Sequence, residues 1–434
     1  MIALDVNTIP FMEQMDVILR RCIHCGMCLS DCPTYHVLRF EADSPRGRIA
    51  MTGAVQSGRV NIEPAFIENI DRCLGCFACI SACPSEVNYN QILDLAHQMI
   101  FQARPPKWSE RLFRWLVMRQ LLPYMNRLRI LALFGSLYHA FGLSWLAQKL
   151  LPFLPRFLQT AERLLPEKPH RPPTRASSTS SRLKYRGRVG LFTGCIQEAF
   201  LGNVNQATVR VLERNGFEVV IPAGQTCCGA LQIHMSEYSI ATNLAKQNVS
   251  AFLDAGVETI VCNAGGCGAA MKGYPELLKN DPVFGKLALD FCSKLRDVSE
   301  FLVEQKAKPP RNPLPVKAAY SDSCHLRNIQ GVFDQPRFIL SNIPGLKLVE
   351  LAHPERCCGS AGVYNLLHPD ISDSLLDDKV KDIQASGVDV VLVANPGCQL
   401  QIQAGLRRNG VPVRALHFIE LLDEAYRMEV DNIC

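Results

Sequence analysis

The stretch Arg21–Pro33 reads RCIHCGMCLSDCP, and Arg72–Pro84 repeats its pattern as RCLGCFACISACP. Both follow the spacing C-x2-C-x2-C-x3-C-P, which is typical of proteins that hold two [4Fe–4S] clusters. The first three thiolates of such a run reach three corners of one cube, and the fourth reaches the other cube. The spacing therefore predicts two cubes with exchanged ligands: Cys22, Cys25, Cys28 and Cys83 on the first, and Cys73, Cys76, Cys79 and Cys32 on the second.

Zinc is the alternative metal for these eight cysteines. Zinc sites usually take their thiolates as two separate C-x2-C pairs per ion, so four successive cysteines that end in proline favour iron and sulfide. Two cubes that exchange ligands lie close together and conduct electrons, and their apolar neighbours offer no acid or base. We therefore expect residues 1–100 to form an all-α, ferredoxin-like domain that transfers electrons.

Between the two runs, Ser44–Arg48 reads SPRGR. Ser44 fits the N-cap of a helix and Pro45 its first position. Arg46 and Arg48 offer a second interpretation, in which their charges raise the cluster potentials by favouring the reduced, more negative state. The sequence leaves both interpretations open.

The chain has 434 residues, of which 48% are hydrophobic and 20% are charged. This composition is that of a globular protein with about two to four packed units. The 19 cysteines could form disulfides in a secreted protein, but Met1–Arg21 lacks the basic and apolar regions of a signal peptide. We therefore expect a cytoplasmic protein in which closely spaced thiols bind metal or do redox chemistry.

A second cysteine pattern repeats in the C-terminal half. Four positions recur at offsets of 129, 130, 130 and 131 residues, and short apolar runs such as Thr259–Cys262 alternate there with helical patterns such as Asn203–Asn215. Such alternation predicts two copies of one α/β unit, at residues 188–312 and 313–434. The fold class expected for the whole chain is α plus α/β. The recurring cysteines are Cys195, Cys227, Cys228 and Cys267 in the first copy, and Cys324, Cys357, Cys358 and Cys398 in the second.

Each of these cysteines follows a predicted strand or an apolar run, and strand ends converge on one crevice in an open α/β sheet. We therefore predict one or more further iron–sulfur clusters at the two sets. The alternatives are redox-active vicinal thiols and cysteines that act as small buried hydrophobic residues. Cys262 has no counterpart in the second copy and is interpreted as a buried thiol rather than a fifth ligand, and Cys292 and Cys434 are interpreted as ordinary thiols.

Residues 101–187 form a basic connector that ends in a Pro/Ser-rich linker at 171–187. Residues 101–188 contain 17 Lys and Arg but only three acids. Lys107, Arg111 and Arg114 fall on one helical face between aromatic residues, and Ile130–Gln148 carries no formal charge. These features favour docking on an anionic lipid surface, with a packed cover over the clusters and a membrane span as alternatives. Aliphatic and aromatic bulk argues against nucleic acid.

The order of these motifs resembles the iron–sulfur subunit of glycolate oxidase (glycolate dehydrogenase) over nearly the whole chain. The resemblance rests on two CxxCxxCxxxCP runs, SPRGR between them, and two CCG repeats with GCGA and NPGCQ. It implies partner subunits that contain FAD and oxidise a 2-hydroxy acid such as glycolate. Electrons would then pass through this chain to a quinone at the cytoplasmic face of the membrane. Lactate-utilisation and anaerobic glycerol-3-phosphate dehydrogenase subunits carry the same paired-cysteine unit and are alternatives.

The sequence shows no motif for a substrate-oxidising site of its own: there is no GxGxxG after a strand, no Walker motif, no HExxH and no GxSxG. The expected role is thus the electron-transfer subunit of an oxidoreductase. The resemblance extends to the heterodisulfide reductase B subunit, so thiol–disulfide chemistry at the CCG cysteines is a rival function. A structural scaffold with zinc, or no metal, at these cysteines is another. His325, beside Cys324, is the one histidine considered as a ligand or proton carrier.

Overall fold

The computed structural model describes residues 15–104, 108–141, 145, 149, 153, 155–166 and 185–431. The chain divides into two compact units, one of residues 1–113 with 234–236 and one of residues 114–233 with 237–434. Lys107, Cys434 and most of the linker at 171–187 lie outside the described residues, as do parts of Ile130–Gln148.

All regular secondary structure in the described residues of the first unit is helical. Two short 3-10 turns, at Met27–Leu29 and Glu41–Asp43, separate its first helices. The α-helices are α1 (Met15–Arg20), α2 (Pro33–Leu38), α3 (Pro45–Gln56), α4 (Pro64–Asp71), α5 (Ala78–Ser81) and α6 (Tyr89–Ala103), followed by α7 (Trp108–Arg114), which ends just beyond the unit. Both cysteine runs therefore lie in the turns and short helices between longer ones.

Helix α3 begins where the SPRGR sequence predicts. The Ser44 side chain accepts a hydrogen bond from the Gly47 backbone N–H at 3.0 Å, and Pro45 occupies the first helical position. Gly47 has a steric reason to be glycine, because a Cβ there would lie 2.1 Å from the Glu41 carbonyl oxygen. The capping interpretation of this motif is confirmed, and it places the two arginines on the first turn of α3.

The core of the first unit lies between α3, α4 and α6. Helix α6 buries Tyr89, Ile92, Leu93 and Ala96, which recur at the spacing of one helical face. They pack with Ile70 of α4 and with partly buried cysteines of both runs. The cysteine turns are thus fixed by a hydrophobic core on one side.

The connector is helical in its described part. A π-helical segment (Trp115–Leu121) leads to α8 (Met125–Ala140), and α9 (Arg156–Arg163) follows. Arg129 of α8 pairs at 2.8 Å with Glu198, a carboxylate that is almost fully buried in the α/β portion of the same unit. Among the described residues, no helix combines the length and the apolar character that a membrane crossing requires.

The first α/β repeat contains a four-stranded parallel sheet in the order β2-β1-β3-β4. Its strands are β1 (Gly187–Phe192), β2 (Phe217–Val220), β3 (Thr259–Cys262) and β4 (Leu295–Asp297). Its helices are α10 (Cys195–Phe200), α11 (Gly202–Arg214), α12 (Ala230–His234), α13 (Tyr238–Asp254), α14 (Gly265–Lys272), α15 (Tyr274–Leu277), α16 (Phe284–Lys294) and α17 (Val298–Glu304).

The second repeat has the same topology, with a parallel sheet in the order β6-β5-β7-β8. Its strands are β5 (Lys317–Tyr320), β6 (Lys347–Val349), β7 (Val390–Val393) and β8 (Arg414–His417). Its helices are α18 (Cys324–Asn328), α19 (Asp334–Ser341), α20 (Tyr364–Leu367), α21 (Pro369–Ser386), α22 (Pro396–Arg408) and α23 (Phe418–Asp431). The central strand β7 is buried along its whole length, as expected for a parallel sheet covered on both faces.

The two repeats share one hydrophobic core, to which both sheets and helices α11 and α23 contribute. Arg210 of α11 binds Asp423 of α23 through two nitrogens, with distances of 3.0 and 2.6 Å. The carboxyl ends of the central strands also meet, because the Gly265 N–H donates to the Ala394 carbonyl at 2.9 Å. The repeats therefore pack with their cysteine-bearing loops side by side.

Candidate iron-sulfur sites

One set of cysteines in the first unit surrounds a cavity that opens to solvent. Cys22, Cys25 and Cys28 of the first run line it together with Cys83 of the second run, and Cys79 also reaches it. Burial raises the pKa of the Cys28 thiol to about 11. The fold thus brings the last cysteine of one run to the first three of the other.

The second set lies deeper in the same unit. Cys32, Cys76 and Cys79 are buried and Cys73 is half-buried. Burial raises the pKa of the Cys79 thiol well above its usual value, and the neighbouring Cys76, Cys73 and Cys32 raise it further. The Cys73 sulfur also accepts hydrogen bonds from the Gly75 N–H at 3.5 Å and from the Tyr89 hydroxyl at 3.7 Å.

The two arginines of the SPRGR motif have different surroundings. Arg46 is partly exposed and binds both carboxylate oxygens of Glu41, at 2.7 and 3.0 Å. Arg48 is fully buried and donates to the Asn69 carbonyl at 2.7 Å and to the Thr34 hydroxyl at 3.0 Å. The Thr34 hydroxyl in turn lies 3.2 Å from the Cys32 sulfur. Neither Thr34 nor Tyr89 stood out in the sequence as a neighbour of a cysteine.

In the first α/β repeat, four distant cysteines come together at the carboxyl end of the sheet. Cys195 begins the helix after β1 and lies 3.4 Å, sulfur to sulfur, from Cys227. Cys228 contacts both Cys227 and Cys267 through its side chain. The sulfur atoms form a continuous chain in the order Cys195, Cys227, Cys228 and Cys267.

The charges within this set are strongly coupled. The thiols of Cys195 and Cys228 donate hydrogen bonds to Cys227 and thereby hold its pKa well below the usual value. The same contacts raise the pKa values of Cys195 and Cys228, and burial adds to the rise. A set of buried thiols needs a cation to become fully deprotonated, and the iron atoms of a cluster supply that charge.

The second repeat reproduces this chain of contacts. Cys324 contacts Cys357, while Cys358 contacts both Cys357 and Cys398. Cys324 begins α18 directly after β5, and Cys398 lies in the first turn of α22 after β7. Identical order in both repeats means that strand topology, rather than local sequence, brings the four thiols together.

The two sets are connected through one amide. The Asn395 side-chain oxygen accepts from the Gly266 N–H at 3.0 Å, next to Cys267, and its nitrogen donates to the Cys398 sulfur at 3.7 Å. In the first set, the Cys227 sulfur lies 3.8 Å from the Gln232 side-chain oxygen. Gln232 also binds the Met118 carbonyl of the connector at 3.3 Å, so the connector packs beside this set. No spacing rule in the sequence points to either amide.

The remaining cysteines have other surroundings. Cys262 is buried at the end of β3 and donates to the Ala264 carbonyl at 3.4 Å. Cys292 is half-buried on α16 and contacts the Lys272 carbonyl at 3.7 Å. The His325 ring nitrogen Nδ1 lies 3.9 Å from where a Cβ at Gly266 would be, and so faces the first repeat. Within the described part of the chain, no three His, Cys, Asp or Glu side chains converge as a single metal ion requires.

Comparison with known families matches three parts of the chain. The 4Fe-4S dicluster domain matches residues 18–87, and the cysteine-rich domain matches residues 189–272 and 318–403. The linker region of the glycolate oxidase iron–sulfur subunit matches residues 109–165. These matches, with the clustered thiols, define an iron–sulfur electron-transfer subunit of an oxidoreductase.

Individual relatives specify the family. The chain is 39% identical to a probable glycolate oxidase iron–sulfur subunit of Bacillus subtilis and 34% identical to the glycolate oxidase iron–sulfur subunit of Escherichia coli; each alignment covers 96% of both chains. Lactate utilization protein A of Halalkalibacterium halodurans is 35% identical, but it aligns with only 55% of this chain while 98% of its own length is covered. The chain belongs to the family of glycolate oxidase iron–sulfur subunits.

Proposed function

We propose that this chain carries electrons from an FAD-containing partner, which oxidises glycolate to glyoxylate, to a quinone in the membrane. The observation that carries the proposal is the exchange of cysteines between the two runs, with Cys83 lining the cavity of Cys22, Cys25 and Cys28. Such an exchange is the arrangement of paired cubes that pass electrons to each other. The relatives aligned over the whole chain support glycolate as the substrate of the complex.

Two [4Fe–4S] clusters would bind in the first unit. Cys22, Cys25, Cys28 and Cys83 would hold one of them, and Cys73, Cys76, Cys79 and Cys32 the other. When bound, the clusters supply one-electron redox chemistry. The chain's own residues position the thiolates, exclude water from the deeper set and donate hydrogen bonds to its sulfurs.

We place at least one further iron–sulfur cluster on the CCG cysteines. Cys195, Cys227, Cys228 and Cys267 would form one site, and Cys324, Cys357, Cys358 and Cys398 the other. The contacts between sulfurs in both sets support this assignment, as do the raised pKa values of Cys195, Cys228, Cys324 and Cys358, which contacts with neighbouring thiols and burial cause. Oxidation of glycolate itself is assigned to the partner subunit, and no residue of this chain is proposed to act on the substrate.

The connector is proposed to dock on the cytoplasmic face of the membrane. Trp115 and Leu116 are at least half exposed, and on α8 Ile130, Leu133 and Phe134 are more than half exposed. Arginines accompany them along the same segment. An exposed mixture of aromatic, aliphatic and cationic side chains is suited to an anionic lipid interface.

The cluster assignment is tested by iron and acid-labile sulfide per chain after anaerobic purification, together with EPR of the reduced protein. About eight irons would confine the clusters to the first unit, whereas about twelve or more would place another on the CCG cysteines. Cys195→Ser and Cys324→Ser then show which repeat holds it. Cys292→Ser is the matched control, because this thiol lies outside all four sets and should keep the wild-type iron content.

The exchange of ligands has its own test. Cys83→Ser should perturb the same EPR signal as Cys25→Ser, although Cys83 belongs to the other run. If it instead perturbs the signal changed by Cys76→Ser, the runs bind their clusters separately and the ligand assignment fails. Glycolate-dependent quinone reduction by the assembled complex, compared with lactate and glycerol 3-phosphate, tests the substrate.

Membrane docking is tested by co-sedimentation with vesicles of neutral lipid, with and without about a third of anionic lipid. Replacing Leu133 and Phe134 by Ser should weaken binding to the anionic vesicles. Equal binding by wild type and the double variant would remove this face from the proposal. If the wild-type chain binds neutral and anionic vesicles equally well, the proposed attraction between its arginines and anionic lipid is refuted.

One observation favours a second function. The Cys195 and Cys227 sulfurs lie 3.4 Å apart, so these neighbouring thiols could form and exchange a disulfide, and their contacts lower the pKa of Cys227. A thiol–disulfide oxidoreductase would turn over a disulfide substrate without the flavin subunit. The electron-transfer proposal predicts no such turnover.

A further inference from the structure

Arg48 is a buried cation on the first turn of α3. Its side chain is 1% exposed, although it carries a permanent charge. Its shortest hydrogen bonds go to neutral acceptors, the Asn69 carbonyl at 2.7 Å and the Thr34 hydroxyl at 3.0 Å. A buried charge is stable in a protein only when an opposite charge compensates it.

The carboxylate available to Arg48 compensates it incompletely. Asp43 is equally buried, but its contact with Arg48 is long, at 3.5 Å. Asp43 also pairs with Arg72, at 3.3 Å through its other oxygen. Arg72 pairs with Glu68 as well, so Arg48 relies on a carboxylate that lies 3.5 Å away and is shared with a second guanidinium.

The cysteines of the deeper set also lie beside Arg48. The Thr34 hydroxyl bridges Arg48 and the Cys32 sulfur, with distances of 3.0 and 3.2 Å. Burial lowers the pKa of the guanidinium, but the ionisable groups around it, Cys73 first among them, raise it by more. Arg48 thus faces sulfur atoms that the two cysteine runs contribute jointly.

Arg46 provides the contrast within the same motif. Its charge is neutralised by the bidentate pair with Glu41, and about a third of its side chain is exposed. Solvent and the carboxylate screen it, and it lines the cavity of the other cysteine set, so its field at the deeper set is weak. The two arginines are separated by one residue, yet only Arg48 acts through a dry, low-dielectric region.

We infer that Arg48 is a positioning residue that raises the reduction potential of the cluster held by Cys32, Cys73, Cys76 and Cys79. Reduction adds one electron, and hence one negative charge, to a cluster whose thiolates lie beside this buried cation. The cation stabilises the reduced state more than the oxidised state, which moves the midpoint potential upward. The inference rests on the ligand assignment proposed above.

The test is a potentiometric EPR titration of the anaerobically purified full chain. Cys32→Ser first identifies the signal of this cluster. Arg48→Gln should then lower the midpoint potential of that signal and leave the other cubane signal within error of wild type. Arg48→Lys, which keeps the charge, should retain most of the wild-type potential.

Asp43→Asn supplies a second variant with the opposite expected sign. It removes the shared carboxylate, so the same signal should move to a higher potential. Loosened packing does not predict opposite shifts from two neighbouring substitutions. Arg46→Gln is the matched control and should shift this signal by less than Arg48→Gln.

The outcomes separate the inference from the proposed function. If wild type lacks about eight irons or two cubane signals, the ligand assignment fails. If wild type shows both signals but the Arg48→Gln and Asp43→Asn shifts are absent or have the same sign, the role of Arg48 is refuted. Should Arg48→Gln not fold, the sign of the Asp43→Asn shift decides.

Discussion

His417 connects the two α/β repeats and should make their stability depend on pH. Its ring is fully buried; Nδ1 accepts a hydrogen bond from the Ile419 N–H at 3.2 Å. Nε2 therefore carries the proton and donates to the Asn263 carbonyl of the first repeat at 2.9 Å. Burial lowers the pKa of the imidazole from 6.5 to about 3.

The sign of the effect follows from this lowered pKa. The unfolded chain binds a proton at His417 below about pH 6.5, whereas the folded chain does not until about pH 3. The contribution of the neutral His417 ring to the stability of the folded state is therefore intact above pH 6.5 and is lost progressively as the pH falls towards 3. At pH 5.5 this group lowers the free energy of unfolding by about 1.4 kcal/mol, because the imidazole of the unfolded chain is then about nine-tenths protonated while that of the folded chain is neutral.

Glu420, on the same turn, titrates in the opposite sense. It accepts from the His417 N–H at 2.9 Å, and burial raises the pKa of its carboxyl. A raised carboxyl pKa favours the folded state on acidification, so the pH dependence of wild type alone mixes both groups. The difference between wild type and His417→Gln cancels the shared contribution of Glu420.

The assay is anaerobic urea unfolding followed by far-UV circular dichroism at pH 7.5 and 5.5. His417→Gln should be less stable than wild type at pH 7.5. The difference in free energy of unfolding between the two should shrink by about 1.4 kcal/mol at pH 5.5. For an m-value near 3 kcal/mol/M, this is a change of about 0.5 M in the difference between their urea midpoints. Tyr426→Phe is the control, because it removes a hydrogen bond with Asn215 across the same interface without a group that titrates in this range. An unchanged gap between wild type and His417→Gln would refute the assignment of a neutral, buried imidazole.

Three further substitutions test other contacts by the same urea assay. Gly359→Ala places a Cβ 2.6 Å from a backbone carbonyl oxygen at φ +81°, whereas Gly410→Ala has the strain of φ +61° without a clash. Gly410→Ala should therefore lower the free energy of unfolding by about 1 kcal/mol, and Gly359→Ala by clearly more. Equal losses would show that the clash at Gly359 has no effect. Lys379→Met should lower the free energy of unfolding by about 1–3 kcal/mol, because the backbone carbonyls of His353 and Pro354, at 2.7 and 3.3 Å, lose a buried donor. An unchanged stability would show that water replaces the ammonium group. Arg210→Met should destabilise the chain by about 1–3 kcal/mol, since its partner Asp423 is almost fully buried. Arg210→Lys keeps the charge and should destabilise it by less. Equal losses would assign the effect to packing rather than charge.

The sequence predicted the elements whose determinants are local. The run Thr259–Cys262 is strand β3 at the predicted boundaries, and the predicted helix Asn203–Asn215 is α11 with each boundary shifted by one residue. The Ser44 cap is also local, because its hydroxyl binds an N–H three residues along. Patterns of apolar residues and caps act within a few turns of chain, so a single sequence shows them.

The connector was harder to interpret from its sequence. Both docking on lipid and packing over a site were open, and the structure shows one face that packs on the first repeat and one face that is exposed. Arg129 and Met118 bind the first repeat, while Leu133 and Phe134 face outward. Charge and hydropathy along the segment do not say which face packs, because that depends on the shape of the partner surface.

By itself, the sequence predicted the cysteine sets, since the spacing of a run indicates which thiols share a cluster and a constant offset reveals a repeat. Only the tertiary structure decided how their surroundings differ. Arg46 and Arg48 are alike in the sequence, but the first meets a nearby carboxylate while the second is buried against Asn69, 21 residues away. Burial and charge compensation arise from residues distant in the chain, and the field that an ionised group exerts depends on both.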